Sequence, residues 1–153
     1  MTDNYEGLFD GPVDERAYVV NAIADEQITI GSPVILVAPA PGDRLPRVEP
    51  NDTQGGNFYG ICVGGSRNGT YGGVSEVAGE AGEAVKICVN GRCKARVKGD
   101  VTPIVINSPL TLAGSDGIAE VALASDNVSA RAQQPATGAS DFIVVFVDQE
   151  GVL

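Results

Sequence analysis

Three cysteines, Cys62, Cys88 and Cys93, are the strongest nucleophiles in the chain, and there is no histidine to activate them. That absence removes Ser-His-Asp and Cys-His activation, histidine acid–base chemistry and most catalytic zinc arrangements. No phosphate-binding GxxxxGK[ST] loop, no GxGxxG after a strand and no EF-hand loop is present. Asp100, Asp116 and Asp141 sit beside turns, where Asp commonly caps its own backbone. The sequence therefore predicts no catalysis, no metal and no cofactor. Three cysteines are also too few for a disulfide framework, and Cys62, inside the apolar run NFYGICV, reads as buried filler.

Cys88 and Cys93 flank Asn90-Gly91 within EAVKICV-NG-RCKARVK. Asn-Gly between two β-rich runs predicts a two-residue type I′ hairpin, whose central positions both need positive φ. Val89 would then pair with Arg92 and Cys88 would face Cys93, their Cα atoms about 4.5 Å apart and within disulfide reach. A disulfide and two reduced small hydrophobes side by side are both compatible with this pattern.

The same segment concentrates positive charge. Lys86, Arg92, Lys94, Arg96 and Lys98 supply five of the ten cations in a chain with 20 acids and a net charge of −10. Period-2 geometry puts Arg92, Lys94, Arg96 and Lys98 on one face of one strand. Such a row either keeps a solvated edge from aggregating or docks on acidic groups of a partner. The acidic balance opposes phosphate backbones and anionic lipid, so neither nucleic acid nor membrane is expected as a partner. An acidic surface with only 3 lysines is also compatible with a saline habitat.

The elements that must position these residues are short and turn-bounded. Gly (20) and Pro (9) punctuate apolar runs throughout 153 residues, which is enough for one domain. Residues 1–16 read as an extended acidic arm with Tyr5, Leu8 and Phe9 as apolar anchors, and residues 17–153 as one domain. Within it AYVVNAIA, ITIGSPVILVA, NFYGICV, VTPIVI, SPLTLA, GIAEVAL and DFIVVFV read as strands. The last lacks alternation and is placed as a strand buried on both faces. Residues 39–56 contain four prolines and predict a surface loop, and residues 64–73 predict a glycine-rich loop. Residues 120–133 are the best helical candidate, interrupted by Ser125, Asp126 and Asn127. No window has sustained helical periodicity, no run approaches a membrane span, and the N-terminus lacks a secretory h-region. The fold class is all-β, a compact antiparallel barrel or sandwich with an extended N-terminal arm. Ile30-Gly31-Ser32-Pro33-Val34-Ile35-Leu36 echoes Ile106-Asn107-Ser108-Pro109-Leu110-Thr111-Leu112, either as a duplicated half or as two similar strand entries by chance.

From about Ala17 onward the chain resembles the small decoration or cement proteins of tailed-virus capsids. The residues carrying the likeness are ITIGSPVIL, GNFYGICVGG, GEAVKICVNGRCKARVKGDV and the ending SARAQQPATGASDFIVVFV. The resemblance implies a short β-barrel, made in the host cytoplasm, that joins the outer surface of an assembled icosahedral capsid. It would act as a homo-oligomer, most simply a trimer, that bridges major capsid protein subunits. Tyr5, Leu8, Phe9 and the five cations are the candidate contacts. The alternative is a head-fibre or adhesin-like module binding a host glycan or receptor. Its candidate stacking residues are few, chiefly Tyr59 and Tyr71.

Overall fold

The computed structural model describes residues 12–50, 53–66, 77–114 and 117–152. Tyr5, Leu8, Phe9, Tyr71 and Asp116 lie outside the described residues. No helix occurs among the described residues, and none therefore is long and apolar enough to cross a membrane.

The strands are β1 (Tyr18–Ala24), β2 (Ile28–Thr29), β3 (Pro33–Val37), β4 (Arg47–Pro50), β5 (Gly60–Gly65) and β6 (Val77–Gly79). They continue with β7 (Ala84–Lys98), β8 (Pro109–Leu112), β9 (Ala119–Val121), β10 (Asn127–Ala132) and β11 (Asp141–Val152). Their order is β1-β4-β3-β5-β7-β11-β10-β8-β9, with β7 also pairing β1 and β9. Those two extra pairings close two five-strand rings, β1-β4-β3-β5-β7 and β7-β11-β10-β8-β9, that share β7. Closure leaves neither ring with a free edge. β2 and β6 form a separate two-stranded ribbon.

The rings repeat one topology. Parallel β1–β4 in the first corresponds to parallel β7–β9 in the second. Antiparallel β4–β3, β3–β5, β5–β7 and β7–β1 correspond in turn to β9–β8, β8–β10, β10–β11 and β11–β7. The echoed Ser-Pro segments open the equivalent strands β3 and β8, with matching hydrogen bonds. Gly31 N donates to Cys62 O and Asn107 N to Ala132 O, both at 2.7 Å. Cys62 N returns to Ser32 O and Ala132 N to Ser108 O, both at 2.9 Å. The turns into β7 and β11 match as well. Glu80 N donates to the Glu83 carboxylate and Gly138 N to the Asp141 carboxylate, each at 2.7 Å. The echo is thus a repeated half.

β7 is one continuous strand of 15 residues, not a hairpin. Asn90 and Gly91 lie inside it, and only Gly91 has positive φ, at 113°, where a type I′ turn needs two such residues. The register to β1 slips here, with Tyr18 opposite Asn90 and Val19 opposite Cys88, so Val89 is skipped. An inserted residue of this kind bends a strand and changes which face its side chains take. Upstream of the bend Val85 and Ile87 join a core of Ile28, Ile30, Val34, Val48 and Cys62. Downstream Cys93, Ala95 and Val97 join the larger core of Phe58, Ile61, Leu110, Leu112, Val145 and Val147. Each fully buried Val, Leu or Ile contributes roughly 1.5–3 kcal/mol.

Other expectations change with the fold. β4 lies inside the proline-rich segment predicted to be a loop, paired on both sides by β3 and β1. Pro46 precedes it and Pro50 is its last residue, so the ladder loses little, and Val48 is fully buried. VTPIVI forms no strand. Ile104 alone bridges Ala136, while Val101, Val105 and Ile106 are exposed. The helical candidate is the end of β9, a turn and β10. β11 is buried on both faces only in part: Ile143, Val145 and Val147 point into the core and Val144 on the opposite face is also buried, while Phe146 on that face is 38% exposed. The two parallel ring closures also qualify the expected purely antiparallel pairing.

Candidate functional site

The basic row forms as the alternation predicts. Cys93, Ala95 and Val97 are buried, while Arg92, Lys94, Arg96 and Lys98 alternate with them on the outer face of β7. The row is not on an edge, since β7 is central. β11 flanks its C-terminal half on one side, with Pro12–Asp14, Gly31 and β9 on the other. Lys86 lies before the bend, apart from the row, with its Nζ 3.3 Å from Asn21 Oδ1.

Local partners temper the positive charge. Asp14, only 3% exposed, accepts from Arg16 and Arg92, each at 3.2 Å. The hydrogen bonds from Arg16 hold its carboxyl below the usual carboxylate range. Lys98 pairs with Asp100 at 3.3 Å, and Arg96 donates to Ser140 Oγ at 3.3 Å. Lys94 is also engaged.

The sequence missed the aromatic half of this face. Antiparallel register sets Phe146 opposite Arg92 and Phe142 opposite Arg96. On the other side of β11, Phe146 also faces Arg131 of β10, whose guanidinium pairs with Glu150 at 2.9 Å. Arg92, Phe146 and Arg131 therefore run across three strands as a basic–aromatic–basic row suited to contact with another surface. No sequence signal marked Phe146, because DFIVVFV is apolar on both of its alternating positions.

Cys88 and Cys93 do meet, but along one bent strand and not across a hairpin. All three cysteines are free buried thiols. The hairpin register that suggested a disulfide is absent, and the Cys88 thiol donates to the carbonyls of Asn90 at 3.7 Å and Gly91 at 3.9 Å. Burial pushes the Cys93 thiol well up and Cys62 up to about 12, so neither is a thiolate near neutrality. Among the described residues no group of three or more His, Cys, Asp or Glu could hold a metal. Asp141 caps Gly138 N, as its turn position suggested.

A second feature is a groove of about 550 Å³ where the rings meet. Ile35, Leu36, Phe58, Val89 and Leu112 supply apolar walls, and Tyr59, Asn57 and Gln149 add polar groups. Gln149 Nε2 donates to Phe58 O at 2.6 Å, and Asn57 Oδ1 accepts from Ser129 Oγ at 2.7 Å. Among the described residues Asn57 Nδ2 and Gln149 Oε1 have no further hydrogen-bond partner.

Neither a protein-family model nor a curated protein matches this chain. Among solved structures it is similar to the head fiber gp8.5 N base of bacteriophage phi29. The TM-score is 0.55 at 13% sequence identity, over 89% of this chain and 98% of that chain. At that identity the likeness shows the fold, and it agrees with the all-β architecture.

Proposed function

We infer that this protein is a structural component of a tailed-virus particle, held on the outer surface of the assembled head through the major capsid protein. The observation that carries the reading is the likeness to the head fiber base, which spans nearly the whole of both chains. The sequence resemblance to capsid decoration proteins points to the same place on a virus particle. A pair of closed rings sharing β7 suits a load-bearing part. Arg92, Lys94, Arg96 and Arg131 with Phe146 form the capsid-facing surface, and their positive charge steers it onto acidic groups.

Two roles follow from this placement. In one the protein cements neighbouring capsid subunits as an oligomer, a trimer at three-fold positions being the simplest. In the other, favoured by the head fiber likeness, it is a base from which a receptor-binding part projects. The test is to add the purified protein to cognate heads that lack it. Stoichiometric binding with a raised head melting temperature supports cementing, and stoichiometric binding with unchanged melting supports a fibre base. Binding to host cells but not to heads overturns the capsid reading. Folded Lys94→Glu/Arg96→Glu protein should lose head binding; retained binding would move the contact elsewhere.

A further inference from the structure

We propose that the groove between the rings receives the N-terminal segment, residues 1–11, of a second copy of this chain, with Phe9 as its main anchor. This inference needs no capsid, so it stands or falls apart from the virion reading.

The groove has the character of a polypeptide-binding site. Its volume of about 550 Å³ lies within the roughly 300–1,000 Å³ of ligand sites. Its walls are mostly apolar, and Leu36 is 52% exposed on one of them. Such walls take an apolar side chain, while the spare Asn57 amide N–H and Gln149 carbonyl suit the polar groups of a peptide main chain. Among the described residues no charged side chain lines the groove, so its occupant should present an apolar anchor and keep its charges outside. The segment before Pro12 has that composition. Tyr5 and the adjacent pair Leu8-Phe9 are flanked by Asp3, Glu6 and Asp10, with no Lys or Arg.

Where the described chain begins argues for exchange between copies. Asp14 N donates to Arg92 O at 3.0 Å and Lys94 N donates to Pro12 O at 2.8 Å, with Val13 opposite Cys93. Traced backwards from Asp14 to Pro12, the chain advances along β7 from Arg92 to Lys94. It therefore moves away from Val89 and its own groove. Eleven extended residues reach about 36 Å, more than twice the radius of gyration of about 15 Å for a domain of this length. A neighbour's groove is within that span.

The experiment uses the full chain, its Leu8→Ala/Phe9→Ala variant, two groove variants (Leu36→Glu and Tyr59→Ala) and a fluorescent peptide of residues 1–11. Sedimentation over a wide concentration range should show reversible association of the wild type. Both the double variant and at least one folded groove variant should weaken it tenfold or more. The peptide should bind the double variant and should bind that groove variant at least tenfold more weakly. An associating wild type indifferent to these substitutions overturns the proposal, as does a peptide that fails to bind. A monomeric wild type whose double variant binds the peptide overturns it too, because the groove would then be filled by its own segment.

Discussion

Gly31 and Asn107 are the same residue of a repeated design, 76 positions apart. Both have positive φ, 95° and 74°, and both donate at 2.7 Å to the strand paired with the next element. Both precede a Ser-Pro that starts a strand. They differ in what lies over them. The Phe142 ring covers Gly31 so closely that a Cβ would come within 2.1 Å of its Cζ.

Exchanging the two residue types should therefore be asymmetric. Gly31→Asn must hold a φ of 95°, which side chains rarely adopt, and displace the Phe142 ring, and should lower stability by about 1–3 kcal/mol. Asn107→Gly removes only an exposed side chain and should change stability by less than about 0.5 kcal/mol. Urea midpoints at constant slope report both. Equal losses would show that Phe142 is not what fixes glycine at Gly31.

Asp14 anchors the start of the described chain to β7 through Arg92, and its lowered carboxyl pKa makes that anchor pH-dependent. A depressed pKa contributes stability above the unfolded value of about 3.8, lost as pH falls through the lower folded value. Asp14→Asn should cost about 1–2 kcal/mol at pH 7, discounted because Arg16 is largely exposed. The gap from wild type should close towards pH 2. A gap of constant size across that range would show that the carboxylate charge is not the stabilising part.

The buried thiols set the alkaline limit. The Cys62 pKa is raised from 9.0 to about 12 by burial, so stability should hold below pH 9 and fall between pH 9 and pH 12, as the unfolded thiol ionises first. Each such thiol contributes a slope of about 1.4 kcal/mol per pH unit. Cys62→Ala should flatten the fall. At pH 8 none of the three cysteines should react with iodoacetamide in the folded protein, and all three should after unfolding. Rapid labelling of native Cys93 would contradict its burial.

Much of this was legible where punctuation and burial agree. Ser-Pro marked the entries of β3 and β8, and the alternation from Arg92 to Lys98 placed four cations on one face, because period 2 holds along any straight strand. β4 was hidden because prolines at Pro46 and Pro50 look like a loop when their ladder partners are unknown. Ring closure was hidden too. β1–β4 and β7–β9 are parallel pairs set by distant chain segments, with no local signature. The basic–aromatic row needed β10 and β11 in register, which no run of residues within either strand specifies.

Asn90-Gly91 was the most misleading pair, and it offers the sharpest test of the architecture. A type I′ hairpin needs positive φ at both residues, whereas the bent strand needs it at Gly91 alone, where φ is 113°. A Cβ there would also lie 2.8 Å from the Ala17 Cα, a backbone atom that cannot rotate away. Gly91→Val should cost about 2–4 kcal/mol, since it forces apart the start of β1 and the strand both rings share. Asn90→Ala, on an exposed strand position with ordinary φ, should cost less than about 1 kcal/mol. Chemical denaturation of the two variants distinguishes the structures. Large losses at both positions would restore the hairpin, while a large loss at Gly91 alone requires a single strand running through both rings.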